Sequence, residues 1–145
     1  MTRYLALAGV LFLSACDVPI DGEGQKYAFV SPYGPRVNPI NANEFEVILN
    51  AGGTYDGYWC GAADFSRRKL GAAWSDRVYV ASPVSQSVTT DRRSAVRFTL
   101  DPAALGITPV NKTFRSGISV GDNMSITQAD TRCSYTRPFP VGGRI

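Results

Sequence analysis

The chain has 145 residues and 15.7 kDa, with 44% hydrophobic and 19% charged residues, which is enough for one buried core and too little for two. Gly and Pro together make 23 residues, short of the roughly 25–30% that marks low-complexity disorder, and no apolar run beyond the N-terminus approaches bilayer length. Histidine is absent, so serine and cysteine triads built on an imidazole base are excluded.

The N-terminus has the layout of an export signal. Arg3 supplies a short positive region, Tyr4 to Phe12 an apolar stretch, and Leu13-Ser14-Ala15-Cys16 a branched, small, small, cysteine boundary. This resembles a bacterial lipoprotein signal peptide with its lipobox. The resemblance implies that residues 1–15 are removed and that the Cys16 thiol carries a diacylglyceryl group, with the new N-terminus usually acylated as well. Several acyl chains on one cysteine anchor durably, because each buried CH₂ contributes about 0.8 kcal/mol and a single chain binds only reversibly. An ordinary secretory signal cut near Ala15 or an uncleaved anchor helix fits less well, since the apolar run is too short to span a bilayer. Asp17 follows the cysteine, a position that in some enteric bacteria retains lipoproteins in the inner membrane; the chain itself fits either membrane, facing the periplasm.

Loss of Arg3 with the signal leaves 14 Lys+Arg against 12 Asp+Glu. That bias is too weak for a nucleic-acid binder, which carries a strongly basic domain. Lipidation also settles the cysteine arithmetic. With Cys16 consumed, Cys60 and Cys133 remain as an even pair in an oxidising compartment and are expected to form a disulfide. A redox-active or zinc-binding role is disfavoured, because there is no C-x-x-C and no histidine to complete a metal shell. No cofactor and no metal is expected.

Residues 16–25, the lipidated cysteine and the polar stretch DVPIDGEGQ, read as a tether; nine residues reach at most about 30 Å, which keeps the folded part near its membrane. A single domain is expected over 26–135. Lys26 to Val30 reads as a short strand, SPYGPRVNP at 31–39 as a loop held by three prolines, and Asn43 to Asn50 as a half-buried strand with Phe45, Val47 and Leu49 inward and Glu44 and Glu46 in solvent. A helix is predicted over about Gly57 to Leu70, with Asp56 as N-cap, Gly71 beyond its end, and Arg67, Arg68 and Lys69 complementing the dipole in its last turn. Trp59, Ala62, Ala63, Ser66 and Leu70 form its apolar face. Arg77 to Ser82, Ser94 to Leu100, Thr113 to Val120 and Met124 to Ala129 read as strands, the last two as a hairpin about Gly121-Asp122-Asn123. Residues 136–145 read as a loosely ordered tail. The sum is an α+β fold, one helix packed on a mostly antiparallel sheet of five or six strands, with one disulfide. The stretch from YWCGAADF through RRKLGAAW and RRSAVRFTL to GISVGDNMSITQAD and the final cysteine is similar to a group of uncharacterised small exported proteins of alphaproteobacteria, a likeness that implies no catalytic or binding residue.

Motifs with chemical potential are sparse. Ser66-Arg67-Arg68-Lys69 matches S-x-x-K, but at the end of a helix rather than its first turn and without the companion S-D-N and K-T-G motifs. Glu44 and Glu46 have the i, i+2 spacing of a solvated strand face, and Asp122-Asn123 lacks the alternating oxygen ligands of a calcium loop. Gly22-Glu23-Gly24 has neither the strand nor the helix of a nucleotide-binding turn. Two cationic groups remain, Arg67-Arg68-Lys69 and Arg92-Arg93 with Arg97. Brought together they would bind an anionic envelope component, a lipid phosphate, lipopolysaccharide or a glycan carboxylate; apart, they are solvated positions. The expectation is a noncatalytic envelope lipoprotein that binds another protein at the membrane face. The alternative is a module for an anionic envelope component, with a small envelope enzyme a third reading.

Overall fold

The structure is a computed structural model, and residues 27–50, 53–111 and 117–136 are described. The signal peptide, Cys16, the tether, Gly22-Glu23-Gly24, Lys26, residues 112–116 and the tail from 137 onward lie outside them. Six strands form one antiparallel sheet in the order β1-β2-β3-β5-β4-β6: β1 Phe29–Val30, β2 Arg36–Asn41, β3 Glu44–Ile48, β4 Arg77–Val80, β5 Ala95–Thr99 and β6 Asn123–Ser125. Helix α1, Tyr55–Arg68, crosses one face between β3 and β4, and a short α2, Ile126–Thr131, packs beside it. The architecture is α+β, with two helices where one was expected.

Alternation sorts the side chains. Val37, Val47 and Val96 are aligned across β2, β3 and β5, as are Phe45, Phe98 and Val80 across β3, β5 and β4, and this face meets α1. Trp59 packs edge-on to Phe98 with ring centres 5.3 Å apart, and Phe65 tilts onto Phe45 at 4.8 Å. Every helical residue from Gly57 to Ser66 is buried, but Leu70 falls past the helix end and is 49% exposed. The N-cap is Thr54; Asp56 lies inside the first turn, where it pairs with Arg132. Gly71, with φ of 69°, adopts the left-handed conformation that lets the chain leave the helix.

Three other expectations fail for identifiable reasons. The prolines at 31–39 do not make a continuous loop: Arg36–Asn41 is a strand, and Pro39 is tolerated because β1 pairs only as far as Val37, leaving Pro39 on an open edge beside a bulge. β3 is buried on both faces rather than one, so Glu44 and Glu46 are not solvated. Met124 to Ala129 is not a strand of a terminal hairpin. Asn123–Ser125 pairs with β4, residues 117–122 are irregular, and the chain turns helical at Ile126. The switch was legible in Ser125-x-x-Gln128, a capping box in which the Gln128 N–H donates to Ser125 Oγ at 3.2 Å and the Ser125 N–H donates to Gln128 Oε1 at 3.0 Å. Ile126, Ala129 and Cys133 then point inward at i, i+3 and i+7.

The approach of α1 to β3 depends on glycine. A Cβ on Gly61 would sit 2.6 Å from Val47 Cγ1 and 2.8 Å from Pro35 Cβ, and one on Gly57 would sit 2.9 Å from Leu49 Cδ1. Gly61→Ala improves helix propensity by about 1 kcal/mol but overpacks the interface, a change that typically costs about 1–3 kcal/mol. The net expectation is a less stable protein by chemical denaturation; a Gly61→Ala variant with an unchanged or raised midpoint would show that the interface has slack.

Candidate functional site

Cys60, in the second turn of α1, and Cys133, in a single 3₁₀ turn over Arg132–Tyr135, are joined by a disulfide with S–S 2.06 Å and Cα–Cα 4.7 Å. Both are buried, and the bond is flanked by the Arg132–Asp56 ion pair at 3.3 Å. The C-terminal element is thereby fixed to the start of α1. Linking positions 73 apart removes unfolded-chain entropy worth about 4 kcal/mol in the loop-closure model.

The face of the sheet opposite α1 carries a polar core that alternation alone did not reveal. Glu46 is fully buried on β3 between Asn38 and Arg97 of the neighbouring strands. The connection from β4 to β5 folds over it. The Ser87 hydroxyl donates to Glu46 Oε1 at 2.5 Å, the Val88 N–H to Oε2 at 2.9 Å and the Thr89 N–H to Oε1 at 2.9 Å, and the Thr89 hydroxyl makes a further short bond. Asn38 adds a bond from its side-chain amide to Thr89 Oγ1 at 2.8 Å. Burial by itself would push the Glu46 carboxyl up, but these hydrogen bonds outweigh it and hold the group below the ordinary carboxylate value. A carboxylate closed off in this way clamps a loop; it has no free lone pair facing solvent for acid–base work. Glu44, on the same strand, is paired with Arg97 at 2.9 Å. A cleft of about 270 Å³ opens beside it, walled by Phe45, Phe65, Leu70 and Leu100, with Glu44 and Asp101 among its lining.

Ser66 is fully buried and its Oγ has no hydrogen-bond partner among the described residues, whereas Lys69 is exposed at the helix C-cap, so the S-x-x-K spacing does not assemble a nucleophile and base. Asp122 Oδ2 accepts the Ser119 N–H at 2.9 Å, and the Asn123 amide donates to the carbonyls of Val110 and Gly121, so this pair holds a turn. Arg67 donates to the Ala72 carbonyl at 2.6 Å and lies over the Trp74 ring, 4.1 Å from its centre; Arg68 is bound to the buried Asp64 at 2.5 Å. Arg92 and Arg93 lie in the β4–β5 connection, and Arg97 is on the sheet face opposite α1. The fold therefore separates Arg67 and Arg68 from Arg97 by the thickness of the sheet. Among the described residues, no three Cys, Asp or Glu side chains could together hold a metal ion, and no helix is long and apolar enough to cross a membrane.

Comparisons of the chain with protein-family models, curated proteins and solved structures find no match.

Cys60→Ser or Cys133→Ser should lower stability by up to about 4 kcal/mol under oxidising conditions, and reductant should lower the wild-type Tm but not that of the variants. For Glu46, the folded-state pKa lies below the unfolded one, so its contribution is complete above the unfolded value of about 4.5 and is lost as pH falls through the folded value. Glu46→Gln places an amide NH₂ against donors; the expected loss near neutral pH is about 3 kcal/mol, with a flattened decline of stability in acid. Parallel acid limbs in wild type and variant would assign that decline to other carboxylates.

Proposed function

We propose that the chain is an exported lipoprotein, held through lipid on Cys16 at a bacterial membrane facing the periplasm, whose folded part is a noncatalytic module that binds another protein at that membrane. The observation that carries this reading is the buried Cys60–Cys133 disulfide, a bond that persists in oxidising compartments and accords with the lipobox at Leu13–Cys16. The use made of the acids supports the noncatalytic part: Glu46, Glu44, Asp64 and Asp56 are each committed to a bond that holds one element to another. A short tether favours action close to the bilayer rather than across the periplasm.

The test is metabolic labelling with an alkyne fatty acid, followed by crosslinking in intact cells. Wild type is expected to be labelled, to fractionate with membranes and to crosslink to one recurrent protein; Cys16→Ser should lose the label and that partner together. An unlabelled wild-type protein would overturn the anchor, and labelled protein whose crosslinks scatter among abundant envelope proteins would overturn the interaction module.

A further inference from the structure

The segment from Arg67 to Trp74 combines three cations with the exposed apolar residues Leu70, 49% accessible, and Trp74, 48% accessible. The fold brings the start of the described chain to the same place. Lys69 Nζ lies 6.0 Å from the centre of the Phe29 ring, Phe29 packs edge-on to Phe65 at 5.7 Å, and Ser31 donates to Asp64, the partner of Arg68, at 2.7 Å. Tyr27, two residues before Phe29, is eleven residues beyond Cys16, a span of at most about 40 Å. Of the acids at this end of the helix, Asp64 is buried under Arg68, Asp76 accepts the Ala73 N–H at 2.8 Å, and Asp101, which lines the cleft beside Leu70, accepts the Ala104 N–H at 3.2 Å. Arg67 and Lys69 are bonded to none of these three acids.

An aromatic ring with a guanidinium stacked on it, a neighbouring leucine and a run of basic side chains suit the boundary between headgroups and acyl chains, where tryptophan is enriched and anionic lipid attracts lysine and arginine. We propose that the C-terminal end of α1, through Lys69, Leu70 and Trp74, docks the domain on the anionic phospholipid surface of the membrane that holds Cys16. This rests on the lipid anchor proposed above. The acyl chains supply attachment, and the docking face supplies orientation, turning the C-terminal end of α1 toward lipid.

The chain contains its own reporter. Of its two tryptophans, Trp59 is fully buried and Trp74 is half exposed, so contact quenching by brominated acyl chains reads Trp74. The mature protein, purified from membranes with its lipid verified by mass, is reconstituted into vesicles of phosphatidylcholine alone or mixed with phosphatidylglycerol, each with and without brominated lipid. The expected result is quenching and a blue shift in the mixed vesicles, reversed by high salt. Lys69→Glu, at an exposed position, removes one positive charge and adds a negative one; at a factor of about five per charge near an anionic surface, it should weaken docking by about 25-fold. Leu70→Ser should weaken it as well. Lipidated protein that floats with vesicles while Trp74 stays unquenched would overturn the docking and leave the anchor intact. Equal, salt-insensitive quenching in both vesicle types would overturn the role of the cations. Protein recovered without acyl chains would overturn the anchor and the docking together.

Discussion

The carboxylate of Glu46 is the interaction on which the arrangement of the sheet depends. It sits on the central strand with no access to water, and such a group is tolerated only when its lone pairs are filled. Ser87, Val88 and Thr89 fill them, and in doing so they draw a fourteen-residue connection, residues 81–94, across a face that strand alternation would leave to solvent. The result is that β3 is covered twice, by helix on one side and by a loop on the other. A loop held by one charged group is specific in its placement, because any shift leaves buried donors and an ionised acid without partners.

The helix side of β3 relies on absence of volume. Gly57 and Gly61, one turn apart, admit Leu49 and Val47 where Cβ atoms would collide. This close approach lets Trp59 and Phe65 reach Phe98 and Phe45 in the next layer. The disulfide then fixes the C-terminal turn, and α2 with it, against the same helix. Glycine contact and aromatic layer are consequences of one helix lying close to one strand, and the disulfide adds the C-terminal turn to that helix.

Function enters through what this packing leaves outside. The buried acids are spent on structure, and cations and exposed apolar side chains share the end of α1, near the start of the described chain. Under the proposed anchor at Cys16, Lys69, Leu70 and Trp74 offer the chemistry of an interfacial face.

Much of this was legible in the sequence. Hydrophobic period placed α1, β3, β4 and β5 to within a few residues, because these patterns reflect local geometry that each segment carries alone. The pairing of Cys60 with Cys133 followed from counting. Other features were hidden because they depend on neighbours. Whether Pro39 could lie in a strand was decided by how far β1 extends alongside β2, and whether Glu46 faced water was decided by a loop forty residues further on. The helical turn after Ser125 was written in its capping box, yet Met124 and Ile126 alternate like a strand, and only docking against α1 selected between the two. The sequence by itself thus determined the elements with a strong period, the disulfide pair and the chemical character of the helix end. Tertiary structure alone decided which polar groups are buried and which cations stay apart, since both are set by what the rest of the chain lays over them.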